Sequence, residues 1–282
     1  MGTVLARLFQ SSSLKEAEEK LKERLKLIEE YEDVYKRDLG IREYKRALSS
    51  IYYRLGDIFF LQGRLEEALK NYEQHTRLEI DVAGKGNALC REALVMIYRR
   101  EPLNRVLNKL NAAKELLEKA KVLKDLALCH HLIAVAYAQA GDFRKARMEK
   151  QIVMRLVDEK RHPLITARAL QLEALLDAIE RPDPLVMRRH EEKIRRLASL
   201  NVFEELISRA LIYILRYLMG GIDERSLKEG LSDIIKRAKN LMLGSIYRCL
   251  EDIVDHLAKG PSPHYTKKAL IKEVVKILAQ PY

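Results

Sequence analysis

The sequence predicts an all-α chain, a stack of about six helix hairpins behind a capping helix, and three observations predict it. The first is a recurrence every 39 residues, in which Leu55 returns as Leu94, Ile133, Leu172, Leu211 and Leu250. The columns three and four places further on are apolar in every row: Ile58, Ile97, Ala136, Leu175, Ile214, Ile253, and Phe59, Tyr98, Tyr137, Leu176, Leu215, Val254. About half the residues of an ordinary chain are apolar, so columns without a break mark a face that is buried again and again. The second is residues 49–81, which read as two amphipathic helices joined at Gly63. The third is composition: 48% apolar and 33% charged over 282 residues suits long helices with wetted outer faces.

The elements follow in order. Residues 1–10 read as a loosely docked segment. Ser11, Ser12 and Ser13 offer N-cap hydroxyls, and Glu16 completes a capping box with Ser13. The helix from Leu14 to about Arg37 carries Leu14, Ala17, Leu21, Leu25 and Ile28 on one stripe, with Glu16–Lys20 and Glu18–Lys22 pairs on the other side. Residues 1–40 form this terminal cap and 41–282 the repeated array. First helices are expected at about 41–62, 86–101, 124–140, 163–180, 202–219 and 242–259. Return helices are expected near 64–79, 105–122, 143–160, 184–200, 224–240 and 263–279. Breaks fall at Asp38-Leu39-Gly40, Gly84-Lys85-Gly86, Gly141-Asp142, Pro182-Asp183-Pro184, Gly220-Gly221 and Gly260-Pro261-Ser262-Pro263. Pro102 stops the helix before it, ahead of a comparatively long loop.

In residues 49–81, Tyr52, Leu55, Gly56 and Phe59 face Leu65, Ala68, Leu69 and Tyr72 across the turn glycine. The Leu-Gly pair, aromatic, glycine, alanine and second aromatic resemble a tetratricopeptide (TPR) repeat. Residues 127–157 match in part through Tyr137, Gly141, Phe143 and Ala146. Elsewhere the signature fades: the place of Gly56 holds Val95, Ala134, Glu173, Ile212 and Glu251, and the period exceeds the usual ~34 residues. The resemblance, spanning residue 42 to about 282, implies a right-handed superhelical solenoid. A generic α-solenoid outside that family is the alternative.

The resemblance also implies a concave groove lined by first helices, which receives an extended peptide or a partner helix. Helical geometry puts Tyr53, Asp57, Phe60, Leu61, Glu92, Met96, Arg99, Arg100, His131, Arg209, Tyr213, Arg216, Tyr217 and Arg248 in or beside it. The arginines suit an acidic partner, and Tyr213 and Tyr217 lie one turn apart beside them. Relatives that hold the acidic tails of heat-shock chaperones use a Lys, Asn and Arg clamp. The matching places here are Tyr53, Asp57, Ala93, Leu128 and Leu132, so that ligand is not expected.

The expected function is a non-catalytic protein–protein interaction scaffold or adaptor. The alternatives are an RNA-associated solenoid, suggested by the net charge of +11, and a structural subunit whose groove is filled by its own chain or a second copy. Asp57, Asp177, Asp252 and Asp255 on the same surface favour peptide over RNA. No apolar run reaches 18 residues, the start lacks a secretion signal, and three cysteines make no disulfide framework, so the cytoplasm is the expected location. Cys129-His130-His131 cannot converge on one ion from adjacent helical places, so Cys90 and Cys129 are expected as buried thiols, with no metal or cofactor. Gly84-Lys85-Gly86-Asn87 is not a phosphate loop, and HExxH, GxSxG and a Rossmann turn are missing, so no enzyme is expected.

Overall fold

The computed structural model describes residues 14–180, 182–197, 201–259 and 263–279. The Ser13 capping box, residues 1–10 and the break at Gly260-Pro261-Ser262 lie outside these. Among the described residues every regular element is an α-helix. In order they are α1 (Leu14–Glu30), α2 (Glu32–Leu61), α3 (Leu65–Leu78), α4 (Val82–Tyr98), α5 (Leu103–Ala120), α6 (Leu123–Ala140) and α7 (Phe143–Leu156). There follow α8 (Pro163–Glu180), α9 (Pro184–Leu197), α10 (Val202–Leu218), α11 (Glu224–Asn240), α12 (Gly244–Lys259) and α13 (Pro263–Leu278). None is long and apolar enough to cross a membrane.

The turns show why these helices stop where they do. α2, α4, α6 and α10 each end on a left-handed residue, at Gly63, Arg100, Gly141 and Gly220. In each case the next amide reaches back to the last full turn: Arg64 to Phe59 O, Glu101 to Met96 O, Asp142 to Tyr137 O, and Gly221 to Arg216 O, all between 2.8 and 3.0 Å. This 6→1 closure satisfies carbonyls that the helix leaves unpaired. Starts are capped as well: Asp81, Asp142, Asn201 and Asp223 accept from the amides of Gly84, Lys145, Glu204 and Ser226.

Two boundaries differ from expectation. Asp81 starts α4 early, so Gly84-Lys85-Gly86 lies inside the helix and is not a break. Gly86 has a packing role there, since a Cβ on it would stand 2.7 Å from Leu117 Cγ on α5. The expected single helix from Leu14 to about Arg37 is divided at Tyr31, and Gly40 (φ 85°) kinks α2. The loop at 99–102 is not unusually long, since 219–223 exceeds it by one residue.

The chain divides into two compact units, up to Asp125 and from Leu126 onward. In the first, α1 packs on α2, α2 on α3, α3 on α4 and α4 on α5. Glu18 of α1 is buried and holds the α2–α3 turn, accepting from Gln62 Nε2 at 3.0 Å and from Arg64 Nη1 at 2.9 Å. In the second, neighbours pair from α7 through α13, and α8 and α10 also touch one another. Leu55, Ile58 and their counterparts in all six rows are buried; in the third column Tyr137 and Val254 are half-buried.

Two hairpins share one close approach. A Cβ on Gly56 (α2) would stand 2.5 Å from Tyr72 Cε1 (α3), and one on Gly230 (α11) 2.5 Å from Tyr213 Cε1 (α10). Tyr72 has no exposed surface and its hydroxyl donates to Asp57 Oδ1 at 2.7 Å, so the ring has nowhere to go. Gly56→Ala is therefore expected to destabilise the first unit by about 1–3 kcal/mol. That sign opposes the ~1 kcal/mol that alanine gains over glycine in a helix, and urea unfolding reads it.

Candidate functional site

In the first unit the residues expected to line a groove are taken up by the chain itself. Ser49, Tyr53 and Asp57 follow at four-residue steps along α2 and meet α3 and α4. Arg91 of α4 donates to the Tyr53 hydroxyl at 2.8 Å, lies over its ring at 5.5 Å, and approaches Asp57 Oδ1 to 3.7 Å. Burial works against the Arg91 charge, but Asp57 and the two tyrosine hydroxyls outweigh it and raise its pKa. Ser49 Oγ donates to Glu79 Oε2 at 3.1 Å and lies 2.7 Å from His75 Nδ1. A hydroxyl has one proton, so His75 is the donor in that contact. Burial holds His75 below the usual imidazole pKa, consistent with a neutral ring.

Phe60, Leu61, Glu92 and Met96 are likewise buried and not presented on an open surface. Phe60 meets Tyr98 edge-on at 4.8 Å. Glu92 accepts from Thr76 and Lys109, so its charge is spent inside the hairpins. Arg99 and Arg100 stand beyond the end of α4 as turn residues, because Pro102 stops the helix two places before the 39-residue register would. Arg99 pairs with Glu66 at 3.3 Å and Glu101 at 3.7 Å.

In the second unit the arginines are again matched to carboxylates of the same chain. Arg216 grips Glu191 with two bonds of 2.9 and 2.7 Å. Arg209 lies 3.8 Å from Glu205, which also accepts a two-pronged bond from Arg237. Arg248 is exposed but has a partner, as has Arg100. Tyr213 covers Gly230, and burial raises the pKa of Tyr217.

The second unit also holds a buried polar cluster that sequence reasoning missed. Arg168 of α8 is fully buried and donates to Gln171 Oε1 at 2.8 Å and to Glu204 Oε1 of α10 at 2.5 Å. Burial raises the Glu204 pKa and Arg168 opposes that rise. The readable sign was α8 itself, apolar on every side from Ile165 to Leu176 apart from Thr166, Arg168, Gln171 and Glu173; a helix apolar all round is covered all round.

The cover is α13. This last helix packs on its neighbour α12 and also on α8 and α10. Other return helices bury one stripe, such as Leu227, Leu231, Ile234 and Ala238 of α11, whereas residues 273–279 are buried without interruption. Its end is held by α6: His131 Nε2 lies 2.9 Å from Leu278 O, a bond that needs the proton on Nε2. His131 is 1% exposed, and burial depresses its pKa to about 4, so the ring is neutral. Beside α13 a cavity of about 670 Å³ remains, lined by Phe143, Ala178, Ile179 and Leu218, by Gln139, and by Ile271 and Lys272 of α13 itself.

The Cys129-His130-His131 stretch holds no ion geometry. Among the described residues no group of three or more His, Cys, Asp or Glu is placed to hold a metal. Cys90, Cys129 and Cys249 are buried thiols outside any disulfide, and His130 meets Glu149 at 2.6 Å. No protein-family model, curated protein or solved structure matches the chain.

Proposed function

We propose that the protein is a non-catalytic interaction scaffold, a right-handed TPR-like solenoid of helix hairpins at a 39-residue period whose first helices hold a segment of a protein partner. The observation that carries the reading is α13 seated across α8 and α10. A face that accepts one helix has the small side chains and apolar depth that another helix needs. The buried Leu55 and Ile58 columns support the repeated frame. Phosphate binding has less behind it, because Arg99, Arg209 and Arg216 already face carboxylates of this chain.

The test is capture at low and high salt, followed by crosslink mapping of whatever is held. Protein capture that survives high salt, with crosslinks gathered on α8 and α10, is the expected result. Tight binding of RNA alone, lost steeply as salt rises, would replace the scaffold with a nucleic-acid function. A second reading draws on the same helix: α13 as a permanent filler in a structural subunit. A captured partner crosslinked to α8 and α10 decides for the scaffold, and no captured partner together with an α13 that never leaves its place decides for the filler.

A further inference from the structure

The scaffold reading underlies this inference, and what it adds concerns which helix the seat of α13 prefers. α13 is an ill-suited guest in the place it occupies. Glu273 and Lys276 are 1% and 3% exposed, paired with each other, with Asp252 3.8 Å from the ammonium. Charges taken from water regain their hydration only in part through such a pair, and apolar side chains of similar volume in those places commonly dock as well or better. Ile271 leaves the neighbouring 670 Å³ cavity open, a volume in the range of ligand pockets, with Phe143, Ala178, Ile179 and Leu218 as its apolar wall and Gln139 and Lys272 as its polar one. The anchoring stripe is sound by contrast, with Leu270, Val274, Val275, Ile277 and Leu278 all buried.

We propose that the seat formed by α8, α10 and α12, with His131 of α6 at its end, exchanges α13 for an amphipathic helix of a partner protein. The preferred guest keeps the aliphatic spacing of Leu270, Val274 and Ile277. It is apolar where α13 has Glu273 and Lys276, and it carries an aromatic ring where α13 has Ile271. The ring enters the cavity, and the lost ion pair removes the desolvation cost that α13 bears. α13 is then the resident occupant that a better-fitting helix displaces, and the same spacing describes what displaces it.

The test uses the full chain and two labelled synthetic helices, read by fluorescence anisotropy. One has the native sequence of residues 263–279; the other carries I271F, E273L and K276L. The substituted peptide is expected to bind about tenfold tighter than the native one, a difference that burial of a ring and removal of one buried pair readily supply. A chain carrying V274D/V275D, which loosens its own α13, is expected to bind both peptides about tenfold tighter than the unaltered chain. Equal affinities for the two peptides, or no binding to V274D/V275D while its circular dichroism stays helical, would overturn the proposal. Should V274D/V275D lose helix beyond α13, hydrogen exchange on the unaltered chain decides. Amides of α13 opening before those of α8 and α10 support exchange, and opening of all three in one step refutes it. A dimer by light scattering that the peptide splits would assign the seat to a second copy, against a foreign partner. Failed peptide binding beside a captured partner crosslinked to α8 and α10 would remove the exchange and leave the scaffold intact.

Discussion

Replacing Arg168 with methionine is expected to lower the stability of the second unit by about 3–5 kcal/mol at neutral pH. The guanidinium is fully buried between Gln171 and Glu204, and removing it leaves the Glu204 carboxylate at 2% exposure with its charge unanswered. Shape alone does not explain the loss, because methionine nearly fills the volume. The double change R168M/E204L is expected to recover most of the stability, since neither charge then has to leave water. Acid separates the two effects. The Glu204 pKa already lies above the usual carboxylate range through burial. A carboxyl raised in the folded state binds its proton more readily there than in the unfolded chain, so its contribution is favourable at low pH and lost as pH rises. The R168M deficit should therefore shrink as pH falls toward 5. Urea unfolding at pH 7 and pH 5, with hydrogen exchange of α8 and α10 as the local readout, checks both points. A deficit under about 1 kcal/mol at pH 7 would mean that water reaches Glu204 once the arginine has gone.

Acid is expected to loosen α13 through His131. Its pKa falls from an ordinary 6.5 to about 4, because burial comes first and the nearby Arg168 charge adds to it, while the bond to Leu278 O works the other way. A histidine depressed in the folded state gives its full stability above pH 6.5, and loses it as pH drops through that value toward 4. At 1.36 kcal/mol per pKa unit the loss is about 3 kcal/mol across that window. Hydrogen exchange of α13 measured from pH 7 to pH 4.5, corrected for intrinsic rates, is expected to show the opening. His131→Asn keeps an N–H toward Leu278 O and carries no titrating group, so its profile should be flatter. A wild-type profile that does not change would count against a neutral, bonded His131. His75 in the first unit is depressed in the same direction, and reading α13 amides keeps the two apart.

Much of the fold was legible because its grammar is local. Leu55 and its five counterparts set the buried face, and Gly63, Gly141 and Gly220 announced three of the six left-handed stops among the described residues, the others falling at Arg100, Lys121 and Met242. Where reading failed, a neighbour in sequence or space overrode the local signal. Asp81 capped a helix that Gly84 and Gly86 appeared to forbid, and Pro102 ended α4 early enough to move Arg99 and Arg100 off the helical register. The groove was harder. Periodicity tells a residue which way it points but not what lies above it, so Phe60, Leu61, Met96 and His131 were read as open when each is covered. α13 was legible as a return helix and illegible as a guest on α8 and α10, because nothing within its own sixteen residues encodes contact with helices so far upstream.

Gly56 under Tyr72 and Gly230 under Tyr213 have a consequence for how such a chain drifts through mutation. In one hairpin the notch is on the outgoing helix and the ring on the returning one; in the other the two have traded sides. What must be preserved is the sum of the two side chains across the contact, not the identity of either. The same fit is reached with the ring on either helix, so the residue at one place of a hairpin does not by itself report the contact it makes.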